Sequence, residues 1–313
     1  MHCRILCIEG LGGGYNWPMT LPYHAQYPCT FCGLPQDEHT FARSKAVVLP
    51  VPFERTTSYM PGTKHGPREI IAASSQVELY DEELGLEIAD VGIHTLPGME
   101  SPFADTEEAL AEMRRTASWL AGAGKFFVAL GGEHALTAPL VAGVATHHPG
   151  VSVLQIDAHA DLRDSYMGDP FSHASAMRRT LEYAPCVQVG IRNLSAAEAK
   201  AVPSLRTKVF YDWNMRQDPD WMSRVVDALG ETVYITIDLD GLDPAVMPAV
   251  GTPEPGGLSW REIIGLMKLV MTTRTVVAAD VVELCPIPGF VAPNFLAARL
   301  VYKLIGYKFC LAP

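Results

Sequence analysis

Three metal-capable side chains crowd the end of one oily run. In "VSVLQIDAHADLRD", Val151 to Asp164, the apolar stretch gives way to Asp157, His159 and Asp161. A carboxylate at the end of a buried segment carries a heavy desolvation cost unless a cation or water meets it. "TVYITIDLDGLD" repeats the pattern, with Asp238 and Asp240 after a β-branched run. "KFFVALGGEH" ends in a Gly-Gly turn, Glu133 and His134, and "VVAADVVEL" carries Glu283 near its end. If the backbone stays extended, residues two apart share a side. Asp157, His159 and Asp161 can then surround one point with Asp238 and Asp240. Four carboxylates and two imidazoles exceed the needs of one ion. Divided between two ions, they give each about four ligands, and an oxygen-rich set without thiolate suits Mn²⁺ better than zinc or copper. Two ions about 3.5–4 Å apart make a shared water nucleophilic near neutral pH, so the expected chemistry is metal-assisted hydrolysis. Asp243 precedes Pro244 and reads as a turn residue.

These side chains need elements to hold them. From "KAVVLPVPF" onward, strand-like and helix-like segments alternate about eight times. The strands are nearly continuous apolar runs, the mark of a parallel sheet covered on both faces. The pattern predicts an α/β protein with a central, mainly parallel sheet of about eight strands. "IADVGIHTLP" is read as one of them. Ligands in such sheets bind beyond the carboxyl ends of strands, where the acids and histidines fall. The helix in "DTEEALAEMRRTASWLAGAG" is expected to be capped by Asp105 or Thr106 and ended by Gly122 or Gly124. Ser259 with Glu262 three residues later predicts a capping box.

The bulk properties bound the function. The chain has 313 residues, 48% of them hydrophobic and 19% charged, which suits a folded protein with a large core. A formal net charge of −11 argues against a nucleic-acid partner. No apolar run is long enough to cross a bilayer, and the N-terminal stretch lacks the compact apolar core of a signal peptide. The expected location is the cytoplasm, without a membrane partner. Residues 1–44, rich in Cys, Gly and Pro, read as an extension, and residues 45–313 as one catalytic domain. Cys3, Cys7, Cys29 and Cys32 have spacings that zinc or an iron–sulfur cluster could use. Free thiols in a loosely ordered extension are the plainer expectation.

The motifs "GGEHALT", "DAHADLRD", "SHAS", "TIDLDGLDPAVMPAVGTPEPGGLSW" and "DVVELCP" resemble the ureohydrolase family of arginase and agmatinase. "PFERTTSYMPGTKHGPREII" resembles its agmatinase branch. The resemblance covers roughly residues 30 to 310. It implies a three-layer α/β/α arginase-like fold and a site for two Mn²⁺ ions. His134, Asp157, Asp161 and Asp238 would hold one ion, and Asp157, His159, Asp238 and Asp240 the other. It also implies that Asp161 relays a proton to the leaving nitrogen. His173 would shuttle protons near the substrate entrance, and Glu283 would receive the guanidinium. Two positions depart from the usual "GGDHS": Glu133 and Ala135. The extra methylene of Glu133 is expected to alter the orientation of His134. The implied substrate is a small cationic guanidino compound. Agmatine, giving putrescine and urea, comes first, and N1-aminopropylagmatine, giving spermidine, is the rival. Arg163 leaves open a carboxylated substrate of the formiminoglutamase kind, and guanidinobutyrate is a further option. Outside enzymes, the alternative is a silent metal-binding regulator. The family implies a homo-oligomer, trimer or hexamer.

Overall fold

The computed structural model describes residues 29–99 and 106–311. Cys3, Cys7 and the Asp105 cap lie outside the described residues. The strands among them are β1 Ala46–Val51, β2 Tyr80–Asp81, β3 Leu86–Glu87, β4 Ile93–Thr95, β5 Phe126–Gly131, β6 Ser152–Ile156, β7 Cys186–Ile191, β8 Thr207–Tyr211, β9 Thr232–Asp238 and β10 Thr275–Val282. The helices are α1 Gly66–Ser74, α2 Thr106–Gly122, α3 Thr137–Ala145, α4 Ala176–Thr180, α5 Ala196–Ala201, α6 Asp212–Met215, α7 Trp221–Ala228, α8 Trp260–Thr273 and α9 Ala292–Cys310.

All eight segments read as strands are present, paired in parallel in the order β4-β1-β5-β10-β9-β6-β7-β8. "IADVGIHTLP" contributes less strand than its apolar content predicts. Ile88–Val91 forms a 3-10 turn, Gly92 takes a φ of 77°, and pairing begins only at Ile93. The small hairpin β2–β3 gave no readable signal in the sequence.

Strand alternation builds the two faces. Val48, Val128, Leu154 and Ile235 belong to one core cluster, with residues of α1, α7, α8 and α9. Val47, Phe127, Val153 and Tyr234 belong to the other, with residues of α2, α3 and α4. The result is the three-layer α/β/α arrangement expected of this pattern.

Local signals explain the helix ends. Ser259 and Glu262 form the expected reciprocal capping box at the start of α8. Helix α2 stops where Gly124 takes a φ of 66°, a conformation that carries little cost without a Cβ. There Lys125 N–H donates to Leu120 O at 3.1 Å and Gly124 N–H to Ala121 O at 3.0 Å, closing a Schellman motif.

Candidate metal centre

Four neighbouring strands at the centre of the sheet, β5, β10, β9 and β6, end at the site. After β5 the chain passes so close to Phe53 that a Cβ on Gly132 would lie 1.7 Å from the Phe53 carbonyl oxygen. Only glycine fits, and His134 follows two residues on. Strand β6 stops at Ile156 and β9 at Asp238, so extended alternation is not what gathers the ligands. Tight turns do it instead. Asp157 Oδ1 accepts the N–H of His159 at 2.5 Å, and Asp238 Oδ1 accepts that of Asp240 at 2.9 Å. Asp161 and Glu283 take φ values of 52° and 65°. That left-handed conformation costs a non-glycine residue about 1–3 kcal/mol and concentrates at functional sites.

The side chains predicted from the sequence converge. His134, Asp157 and Asp238 form one potential ligand group and Asp157, His159 and Asp240 a second, with ligand atoms within 4.8 Å of one another in each. Asp157 belongs to both. His134 Nδ1 lies 3.1 Å from Asp157 Oδ2, 3.0 Å from Asp161 Oδ2 and 3.3 Å from Asp238 Oδ2. His159 Nδ1 lies 2.9 Å from Asp240 Oδ2 and 3.6 Å from Asp157 Oδ1.

Hydrogen bonding from behind fixes the orientation of the His134 ring. Fully buried Asp280 accepts the hydroxyls of Tyr234 at 2.7 Å, Thr137 at 3.0 Å and Thr236 at 2.6 Å. Thr236 has then given away its one hydrogen, so its Oγ1 accepts from His134 Nε2 at 2.9 Å. A hydrogen therefore sits on Nε2, which leaves Nδ1 to face the site. Nδ1 is buried, has no hydrogen-bond partner, and faces three carboxylates. So placed, Nδ1 calls for positive charge: against burial, the three carboxylates raise the imidazole well above its ordinary value, and a divalent ion can take the proton's place. The donor set therefore fits a divalent ion, with Nε2 anchored from behind in the way metal-binding histidines commonly are.

The electrostatics agree. Burial, then the charge of Asp157, pushes Asp161 up to about 7. Burial and neighbouring carboxylates also raise Asp238 and Asp240 above the ordinary carboxylate range. Burial raises Glu283, with Glu133 adding to it. Asp157 moves the other way: burial opposes its charge, but the contacts with His134 and His159 outweigh burial. Carboxylates that resist ionising together are a demand for positive charge.

The cleft above is lined by Tyr59, Met60, Arg163, Tyr166, His173 and Glu283, among others. Glu283 Oε1 accepts the backbone N–H of His134 at 2.7 Å. His173 packs edge-on to Tyr166, ring centroids 5.8 Å apart. Burial, followed by the charges of His134 and His159, lowers its imidazole to about 4. Arg163 lies 3.6 Å from Glu198 and 5.1 Å above the Tyr166 ring. Asp243 is a turn residue, its Oδ1 accepting Ala245 N–H at 2.8 Å.

Glu133 makes its side-chain contacts on the loop after β1. Its carboxylate turns away from His134 and accepts the N–H groups of Arg55 at 2.8 Å and Thr56 at 2.6 Å, and the Thr56 hydroxyl at 2.9 Å. Cys29 and Cys32 are free, and neither belongs to a potential metal-ligand group among the described residues. Sequence reading passed over Thr56, Gln155, Thr236 and Asp280. An available signal was the polar residue inside an apolar strand: Gln155 in "VSVLQI", Thr236 in "TVYITID" and Asp280 in "TVVAADVV".

Residues 44–306 match the arginase family. The chain is 40% identical over 281 residues to the N(1)-aminopropylagmatine ureohydrolase of Synechocystis sp., covering 86% of this chain and 90% of that one. It is 32% identical over 253 residues to the agmatinase of Bacillus anthracis, covering 79% and 86%. The crystal structure of agmatine ureohydrolase of Thermoplasma volcanium superposes with a TM-score of 0.79 at 31% identity, covering 86% of this chain and 91% of that one. Among the described residues no helix is long and apolar enough to cross a membrane.

Proposed function

Because this chain belongs to the arginase family, whose members hydrolyse C–N bonds of amidines, we propose that it is a manganese ureohydrolase acting on N1-aminopropylagmatine, with agmatine as the second substrate. One observation carries the metal chemistry: the buried Nδ1 of His134, held from behind through Nε2 and aimed at three carboxylates. His134, Asp157, Asp161 and Asp238 would hold one ion, and Asp157, His159, Asp238 and Asp240 the other. Two divalent ions bound there would make water nucleophilic at neutral pH and polarise the guanidinium carbon.

The protein's own groups do the rest. The His134 N–H pins one oxygen of Glu283, so the carboxylate is held to accept guanidinium N–H donors from the cleft. Asp161, 3.0 Å from His134 Nδ1, stands where it can take a proton from water and return it to the leaving nitrogen. Burial favours the neutral form of the His173 imidazole, which can take up a proton and carry it between this point and solvent. The 40% identity to an aminopropylagmatine enzyme, against 32% to an agmatinase, favours the longer substrate over the expected agmatine. Arg163 already has Glu198 as a partner, which weakens the case for a carboxylated substrate.

The test is urea release by the Mn²⁺-loaded chain from N1-aminopropylagmatine, agmatine, arginine and guanidinobutyrate. We expect kcat/KM for N1-aminopropylagmatine to exceed that for agmatine by at least about tenfold, with arginine lower still. Manganese bound without urea from any guanidine would leave the silent regulator as the correct reading.

A further inference from the structure

We propose that Glu133 is a positioning residue for His173, acting through Thr56 to place the ring hydrogen on Nδ1 and leave Nε2 as the free base. This deepens the proposed function and rests on its assignment of His173 as a proton carrier.

The chain of contacts is short. Glu133 grips the loop after β1 by two means. Its N–H donates to Phe53 O at 2.8 Å, and its Oε2 accepts Arg55 N–H at 2.8 Å and Thr56 N–H at 2.6 Å. Its Oε1 accepts the Thr56 hydroxyl at 2.9 Å. Thr56 Oγ1 in turn lies 3.0 Å from the backbone N of His173 and 3.1 Å from its Nδ1. A hydroxyl has one hydrogen and two acceptor lone pairs. The hydrogen goes to Glu133, so both lone pairs face His173. One takes its backbone N–H, and the other requires a hydrogen on Nδ1. A second tie joins the same two segments, since Arg55 Nη1 lies 3.0 Å from Asp169 Oδ2 just before His173. The loop therefore serves as a bracket for the imidazole, and Glu133 gives that bracket its polarity.

The inference makes an unusual demand of Glu133→Gln. Two backbone N–H groups must still be met at the Oε2 position, so the amide oxygen belongs there. The amide nitrogen then donates to Thr56 Oγ1. The hydroxyl hydrogen must swing to His173 Nδ1, and the ring hydrogen must move to Nε2. An almost isosteric change thus reverses a tautomer two side chains away.

The measurement is ¹⁵N NMR of the full chain, labelled at histidine and loaded with Zn²⁺ to avoid paramagnetic broadening, with His173 assigned by comparison with His173→Asn. We expect Nδ1–H in the parent chain, Nε2–H in Glu133→Gln, Nδ1–H again in Thr56→Ser, and no fixed preference in Thr56→Val. With Mn²⁺, Glu133→Gln and Thr56→Val should lose about tenfold or more in kcat with KM within about threefold, and Thr56→Ser should recover most of it. Nε2–H in the parent, or an unchanged tautomer in Glu133→Gln, overturns the proposal. If Glu133→Gln fails to fold, the threonine pair decides: a tautomer in Thr56→Val identical to the parent overturns it. Absence of urea from every guanidine, with the tautomers as expected, would remove the proposed activity and leave this arrangement standing.

Discussion

Behind the ligands, one rung of the sheet is polar across four strands; in front of them, the partners stand on loops. Asp280, Thr236, Gln155 and Gln188 occupy consecutive strands in register. The next rung, Val281, Ile237, Ile156 and Val189, is wholly apolar and faces the opposite core. The polar rung is fully buried and mutually satisfied. Thr236 holds His134, Gln155 Nε2 donates to Asp157 Oδ2 at 2.6 Å, and Gln188 Nε2 donates to Gln155 Oε1 at 2.5 Å. On the front side, His159 Nε2 is 4.0 Å from Glu254, which is itself half-buried and bonded to Asn193. The difference teaches how one site is both rigid and accessible. Turns aim the side chains, and the polar rung then holds His134 and Asp157 from behind, where its groups cannot move without losing partners in a dry core. Substrate entry is left to loops, where a loose contact costs little.

The comparison breaks most severely at the residue common to both ligand groups. Asp157→Ala should abolish stoichiometric Mn²⁺ binding and lower turnover by more than about a thousandfold. A variant that keeps two ions by elemental analysis would undo the centre as described. Next come the back-wall variants. Asp280→Ala strands three buried hydroxyls and should cost about 3 kcal/mol in urea unfolding. Thr236→Val leaves His134 Nε2 without its acceptor and should weaken Mn²⁺ binding about 10–100-fold by calorimetry.

A pH series sharpens the contrast without mutation. The folded-state pKa of Asp161 is raised from 3.8 to about 7, so the unfolded chain loses this proton first as pH rises. Metal-free protein should therefore lose thermal stability from about pH 4 to about pH 7, the raised Asp238, Asp240 and Glu283 adding to Asp161 and outweighing the opposite contribution of His173, and Mn²⁺ should remove that decline. A metal-free melting temperature that climbs over this window contradicts the buried cluster. The smallest effect belongs to the front: Glu254→Gln should change Mn²⁺ affinity by less than about threefold, since its contact with His159 is long and solvated. A loss matching that of Thr236→Val would erase the distinction between front and back.

Much of this was legible before folding was considered. The apolar runs of β5, β6, β9 and β10 announce buried parallel strands, and carboxylates at their ends announce a cation, because burial cost depends on residue type and on place relative to an apolar run. The capping box at Ser259 was readable for the same local reason. The strand within "IADVGIHTLP" was overdrawn because apolar content does not register the turn at Gly92. The hold of Glu133 on Arg55 and Thr56 was not readable, because adjacency in the chain to His134 says nothing about which way a side chain turns.

Residue types and their order are enough to give the fold class and the side chains that gather at the candidate metal centre. They do not give strand order. Only in the folded chain do β9 and β10 lie between β5 and β6, bringing four strand ends side by side. Only there do left-handed turns at Asp161 and Glu283 aim carboxylates inward, and only there does Thr56 meet His173 across 117 positions. Such contacts depend on long-range register and on which donors remain unsatisfied in a closed core, and neither is encoded in a local stretch of sequence.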